Sequence, residues 1–483
     1  MRDPGRGPGL GRRQFLGAAS SSLAILAAAR KPASSLPVTS PGSKAPATHN
    51  HAYHQTLTIK IFMARKSSPR ALLSTDDALE VIRKLHNLTQ GIPTIAYLVG
   101  WQYEGHDSKY PAWFEVTEKI KSPRASDPRS SLLGLMRDAH QYNTVVSTHI
   151  NMCDAYENSP LWMEYKRKDL LIRQADGSLQ KGGVWDNEQS YLVCKAREWQ
   201  SGLARRRIDR LLELLPVADA GTVHIDVFQP HESPFHGISA ADDVQAMTEI
   251  LKYWRSCGVD VTKEWFHHEF AGLVPMVWHF NLEEQDRLKY PASMACGGGS
   301  AWNSRAGRGT AGMSRRPGAG CLYPEAWGQS MYGEPEIQRD PQGLGSVLDE
   351  FCVKTLPWYL MNRHEIQEHR HTRRTYEVVF SGGLRSVVDK AENRHVLREA
   401  DRVMVDGTDL CVPALWRGDD CIAYSRSGCS RQWRLPPSWN AIGKADVFAI
   451  STEGNRFLER KTVRGGAVDV RLQPGTAVLL RPA

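Results

Sequence analysis

A (β/α)8-type barrel followed by a C-terminal all-β sandwich is the fold that this sequence predicts, and three observations predict it. Residues 222–228, 239–257 and 259–266 read as strand, helix and strand, a βαβ unit of the kind that joins parallel strands. The same alternation recurs from residue 56 to about 280, and clusters of polar and aromatic residues follow the strand ends, where parallel barrels carry their chemistry. From about residue 372 the hydrophobic period falls to two, with Gly, Pro and Asn turns between short strands. The predicted boundaries are a twin-arginine signal peptide at 1–30, a linker at 31–55, the barrel at 56–365 and the sandwich at 366–483.

Each element has a local reason. Residues 56–63 alternate as a strand does. A helix from 76 to about 90 follows, with Thr75 as its cap, Leu79, Ile82 and Leu85 on one face, and Gly91 and Pro93 closing it. Residues 94–100 are a continuous apolar run, as in a strand covered on both faces, and 101–111 turn abruptly aromatic, acidic and amide-bearing. A helix from about 130 to 141 and a strand at 144–150 lead to Asn151, Asp154 and Tyr156. The charged excursion 161–199 carries Trp185 between Gly182, Gly183 and Asp186, which suits a lid. A helix from about 198 to 215 precedes the βαβ unit. In the unit's own helix, Val244, Met247, Leu251 and Trp254 recur at helical spacing, Ser239 caps the start and Gly258 ends it. A further strand is predicted at 274–280, and the Gly- and Arg-rich residues 295–330 read as a long loop over the barrel mouth. Strands at 376–380, 402–405, 421–424, 445–450 and 477–480 make up the sandwich, and no internal repeat is evident.

The net charge of +8 does not mark a nucleic-acid binder. The first 50 residues hold Arg2, Arg6, Arg12, Arg13, Arg30, Lys31 and Lys44 against Asp3 alone, so the body of the chain is close to neutral. The run at 205–207 reads as a solvated helix face. The leader itself carries Arg12-Arg13-Gln14-Phe15-Leu16 and a short apolar run to Ala29, which resembles a twin-arginine export signal. The leader makes the twin-arginine export machinery an expected partner, and the aromatic, acidic and amide groups at 101–111 suit a carbohydrate substrate. The expected location is extracytoplasmic, with no stable membrane insertion. Nine cysteines without a Cys-x-x-Cys pair argue against a structural zinc site, while Cys411, Cys421 and Cys429 are near enough in sequence for one bridge.

The chemistry centres on Asp226 and Glu264. Side chains alternate along a strand, so His224, Asp226 and Phe228 share one face, and Asp260, Thr262 and Glu264 share one face of the partner strand. Hydrogen-bonded neighbours lie about 4.8 Å apart, which allows the roughly 5–5.5 Å carboxyl separation of a retaining glycosidase. Burial beside Trp265 is expected to raise the Glu264 pKa. A strand-end capping role for Asp226 and an Arg pairing for Glu264 are the structural alternatives, and Glu269 is the rival acid. No cofactor is expected, but His106, His149 and Asp226 all fall near strand ends and offer a metal-dependent hydrolase as a second reading. A third is an exported, non-catalytic carbohydrate-binding protein. His49 and His51 precede the first strand instead of following it, and His364 and His369 are five residues apart where zinc helices need four.

Three clusters together resemble the family 101 glycoside hydrolases, the endo-α-N-acetylgalactosaminidases: Gly105-His-Asp-Ser108; Thr148-His-Ile-Asn151 with Asp154 and Tyr156; and the strands bearing Asp226 and Glu264. The resemblance implies a barrel before a β-sandwich, and a retaining mechanism that releases a Gal-GalNAc disaccharide from Ser or Thr of mucin-type glycoproteins, which extends the expected partner to a carbohydrate or O-glycoprotein substrate. It implies Asp226 as nucleophile, Glu264 as general acid/base, and Asp107, His106 and Asn151 as substrate contacts, with Trp185 as a lid aromatic. His149 and Trp265 complete the predicted sugar-binding set. The 38 residues between Asp226 and Glu264 exceed the family expectation, with the surplus in 229–238.

Overall fold

The computed structural model describes residues 48–279, 284–295 and 323–483. The predicted signal peptide and most of the predicted linker, and most of the predicted loop at 295–330, lie outside the described residues. Six parallel strands, β1 (Leu57–Phe62), β2 (Thr94–Val99), β3 (Thr144–Asn151), β4 (Thr222–Asp226), β5 (Asp260–Trp265) and β6 (Val277–His279), pair in chain order. Every residue of β1 and β2 is buried, because helices cover one face and the curled interior the other.

The helices start where hydrogen-bonding side chains stop the strand-side loops. Ser74 caps α1 (Thr75–Leu88): its side chain accepts from Asp77 N–H, and the Asp77 carboxylate accepts from Ser74 N–H. The predicted cap, Thr75, is one residue late. Asp127 caps α2 (Pro128–Asp138), which ends three residues before the predicted Gln141 as the chain tightens into a 3-10 turn. The helix predicted over 198–215 is two pieces. Lys195–Gln200 is separated from α3 (Leu203–Leu214) by Gly202, whose φ of 77° no helix interior accepts. Ser239 and Asp242 form the same reciprocal cap on α4 (Ala240–Ser256).

Among the described residues the parallel sheet is a curled half-barrel of six strands in which β1 and β6 do not pair, so the closed eight-stranded barrel expected is not seen in them. The outer edge of β1 is met instead by irregular backbone, with Lys60 N–H donating to Tyr332 O at 3.1 Å. Residues 49–53, predicted as linker, seal the amino-terminal end of the sheet. Tyr53 is buried, Asn50 N–H donates to Asp260 at 2.6 Å, and His51 bonds Ala220 O at 2.7 Å. The His49/His51 pair thus sits at the end of the sheet opposite Asp226.

The C-terminal region is also not a simple two-sheet sandwich. Ten antiparallel strands form one continuous sheet from Ile366–His371 to Gly454–Thr462, and a separate two-strand ladder, Cys429–Arg434 with Ala467–Leu472, packs over it. Consecutive hairpins explain the first seven strands, each pairing with the one before it, after which Thr476–Pro482 inserts between Cys421–Ser425 and Lys444–Ser451; the ladder's Trp433 and the nearby Trp439 are buried in one core with this part of the sheet. Cys411, Cys421 and Cys429 are free thiols, so no bridge staples the region. One core runs from the half-barrel into this sheet, reinforced where Trp416 Nε1 donates to Gln90 O at 3.0 Å and Trp327 Nε1 to the Tyr376 hydroxyl at 2.6 Å. No helix among the described residues is long and apolar enough to cross a membrane.

The loops after β1 and β2 touch backbone to backbone. Gly100 has φ of +74°, and a Cβ there would lie 2.0 Å from Ala64 O, whereas a Cβ on Gly202 would meet nothing within 4 Å. Gly100→Ala is therefore expected to cost about 2–4 kcal/mol, and Gly202→Ala only about 1 kcal/mol, in urea denaturation midpoints. Equal losses would mean that the two loops can separate freely.

Candidate active site

The register places the carboxyl pair. His149 pairs with His224 and Asn151 with Asp226 across β3 and β4, and Ile225 pairs with Lys263 across β4 and β5, so Asp226 and Glu264 are the next step on neighbouring strands. Beyond Asp226 the chain turns sharply. Val227 and Phe228 take φ of 56° and 39°, left-handed values that a β-branched residue rarely adopts. That turn points Val227 N–H at Glu264 Oε2, 3.3 Å away. The other oxygen, Oε1, receives the Lys60 ammonium from β1 at 3.2 Å. Lys60 is 2% exposed and lies 4.9 Å from the Tyr332 ring centroid and 5.5 Å from that of Trp278. Asp226 and Glu264 are close enough to share a hydrogen bond, and each side chain is 14% exposed toward the mouth.

The two carboxyls are held at different protonation. Burial, then the neighbouring Asp226 charge, raise Glu264 to about 7 against the opposing pull of Lys60. Burial opposes ionisation of Asp226 too, but the His149 imidazole at 3.4 Å, Lys60 and His106 outweigh it and hold the carboxyl well below the usual range. His149 is pushed down to about 4, and His224 well below its ordinary value, chiefly by burial. At neutral pH the site therefore presents one carboxylate, a second carboxyl at its titration midpoint, and neutral imidazoles. Trp265 lies 4.4 Å from the His279 ring, and burial and Asp226 account for the Glu264 shift ahead of any contact with that indole.

The predicted wall residues gather unevenly. His106 and Asp107 stand together at 3.4 Å, and the His106 ring is 5.4 Å from His149. Burial raises Asp107, with Asp226 contributing. Asn151 differs from expectation: its Oδ1 accepts from Cys153 N–H and Asp154 N–H at 2.7 and 2.9 Å, and its Nδ2 donates to Asp154 at 2.8 Å, so its amide holds the loop. Asp154 is itself buried, and that burial raises it to about 6. Trp185, 40% exposed, tips the hairpin formed by Lys181–Trp185 and Glu188–Leu192. That hairpin is tied to the loop after β1 by Lys66–Glu188 at 2.5 Å and by Ser67 N–H to Asp186 at 2.7 Å. Glu269, the rival acid, is exposed in a 3-10 turn beyond β5.

Sequence reasoning passed over Lys60 and, while it placed Asp154 and His224 beside the site, gave them no role. A lone lysine in an otherwise apolar strand was the available signal for the first. The metal-ligand grouping also differs from the predicted His106, His149 and Asp226. Donor atoms lie within 4.8 Å of one another in the sets His149, His224, Asp226 and His106, Asp107, Asp226.

Residues 43–286 match the sequence profile of the family described as endo-alpha-N-acetylgalactosaminidase. No curated protein matches the chain. Among solved structures it is similar to the α-N-acetylgalactosaminidase NagBb from Bifidobacterium bifidum. The quadruple mutant gives a TM-score of 0.52 at 12% identity, covering 72% of this chain and 57% of that one. The ligand-free form gives 0.51 at 13% identity, covering 71% and 58%. The chain thus spans a little over half the length of these neighbours, and at such identities the likeness is one of fold.

The Glu264 shift has a stability consequence. A carboxyl whose folded pKa is raised from 4.5 to about 7 binds its proton more tightly in the folded state, so its contribution is full below pH 4.5 and is lost as pH rises through 7. The thermal midpoint of Glu264→Gln should gain on that of the wild type across this window and stay level above it. A difference that does not vary with pH would contradict the shift.

Proposed function

Because the chain belongs to the endo-α-N-acetylgalactosaminidase family of glycoside hydrolases, we propose that it hydrolyses the α-linkage of N-acetylgalactosamine in mucin-type O-glycans with retention. The observation that carries this reading is the pair of adjacent carboxyls kept at unequal protonation. Asp226 attacks the anomeric carbon while Glu264 gives its proton to the departing glycosidic oxygen, which leaves a glycosyl-enzyme and a free Ser or Thr hydroxyl. Ester formation removes the Asp226 charge, the main neighbouring charge that raised Glu264. Glu264, now facing only the Lys60 ammonium, becomes the stronger acid and takes the proton of the incoming water. Water oxygen bonds to the anomeric carbon, and Asp226 departs as carboxylate.

His106 and Asp107, partly exposed and near Asp226, suit sugar hydroxyls, and Trp185 at the hairpin tip suits the sugar's apolar face. The leader with Arg12 and Arg13 places this activity outside the cytoplasm in the same reading, where mucin-type substrates are met.

Asp226→Asn and Glu264→Gln should each lower kcat/KM on an aryl α-N-acetylgalactosaminide or an O-glycopeptide by about 10²–10⁴-fold without unfolding the protein. Azide should rescue Asp226→Gly as the inverted glycosyl azide. Full turnover by Asp226→Asn would remove Asp226 from the role. Lys60→Met deletes the cation that lowers Glu264, so the basic limb of the kcat/KM profile should move to higher pH and glycosyl-enzyme hydrolysis should slow more than its formation. An unmoved basic limb would show that Lys60 acts only on packing.

A further inference from the structure

The inner face of β3, β4 and β5 carries more nitrogen than the proposed hydrolysis uses. The rings of His149 and His224 are 5.2 Å apart, both at most 2% exposed. His224 Nδ1 lies 3.0 Å from Thr262 Oγ1, and the Thr262 hydroxyl hydrogen is directed to Val223 O at 3.4 Å. Thr262 therefore orients the ring through Nδ1, and Nε2 is fully buried with no hydrogen-bond partner among the described residues; His149 Nδ1 is in the same condition. A buried ring nitrogen without a partner is costly, and beside a carboxylate it invites a ligand that brings its own positive charge.

The donor set decides which. His149, His224 and Asp226 each offer one atom, all within 4.8 Å of one another, and of the three Asp226 is the one partly exposed. Two neutral imidazoles and a carboxylate suit Zn²⁺ and its close analogues better than Ca²⁺ or Mg²⁺, which want oxygen alone. The Lys60 ammonium acts against a cation here, but Glu264 pairs with it at 3.2 Å and carries the compensating negative charge once ionised. We propose that His149, His224 and Asp226 form a site for a borderline divalent cation of the Zn²⁺ class, whose occupation ties up the Asp226 carboxylate and inhibits the enzyme. The inhibitory half rests on the nucleophilic role proposed for Asp226, whereas the binding half does not.

The full-length chain, first stripped with a chelator, is titrated with Co²⁺ while its visible absorption is followed, then with Zn²⁺ in competition, with and without free N-acetylgalactosamine. One equivalent should bind, the sugar should weaken it, and Zn²⁺ should inhibit hydrolysis of an aryl α-glycoside competitively until the chelator restores it. Thr262→Val, which removes the hydrogen bond that orients His224, should weaken Co²⁺ by about 10–100-fold. Lys60→Met should tighten it. Opposite signs from two neighbouring substitutions are not the pattern of general structural damage. Absence of cobalt uptake, or uptake unchanged in Thr262→Val and in His224→Gln, would overturn the site. Hydrolysis lost on chelation would overturn inhibition in favour of a required metal. Cobalt uptake by a chain that hydrolyses no glycoside supports the site and overturns the proposed function alone. Hydrolysis untouched by saturating Zn²⁺ overturns the inhibition alone.

Discussion

The Lys60 ammonium, buried 3.2 Å from Glu264 Oε1, governs how two carboxyl groups can stand side by side at the end of a parallel sheet. Withdrawing a lysine charge from water costs several kcal/mol, which only close partners offset. Here the partners are Tyr332, Glu264 and Asp226, and they keep Lys60 charged in spite of burial. The same ammonium pulls both acids down, but not equally, because Asp226 also faces His149 and His106. Glu264 has Val227 N–H and Lys60 on its oxygens and a neighbouring carboxylate against it, so it stays near neutral pH. Differentiation of the pair therefore comes from what each carboxyl faces, not from one being deeper than the other.

That arrangement depends on β1 being held in register from outside the sheet. Its inner edge pairs with β2 over six residues, and its outer edge meets Tyr332 O through Lys60 N–H itself. Tyr332 therefore both fixes the lysine's backbone and gives its ring to the ammonium. The loop after β1 then carries the next layer: Ala64 O receives His106 N–H at 2.8 Å, and Lys66 and Ser67 hold the hairpin that bears Trp185. Displacement of β1 by one residue would move the acid's cation, the His106–Asp107 loop and the hairpin together.

Much of this could be read from the sequence where the signal is local. Period-two alternation put Asp226 and Glu264 on corresponding faces of adjacent strands, and the register agrees because alternation is a property of each strand alone. Lys60 escaped notice for the same reason. In 57–62 it alternates like a solvent-facing residue, yet both faces of β1 are covered, which only tertiary structure decides. Asn151 was expected as a contact from the family resemblance, but a short amide can turn back on its own loop, and it bonds the backbone of Cys153 and Asp154. Closure of the barrel and the single curled C-terminal sheet were illegible because strand count and sheet membership are set by which edges meet, and no period encodes that.

The neutral imidazoles give the site its remaining character. Burial keeps His149 and His224 uncharged. A positively charged floor would stabilise the Asp226 carboxylate and weaken its attack on carbon. The neutral His149 ring instead meets it at 3.4 Å, while the Lys60 ammonium sits 3.2 Å from Glu264, where the proposed hydrolysis needs it once that carboxyl must ionise. On the proposed reading, this layer of carboxylate, imidazole nitrogens and off-centre ammonium serves an oxocarbenium-like charge during reaction and, by the same electrostatics, attracts a small dication between reactions.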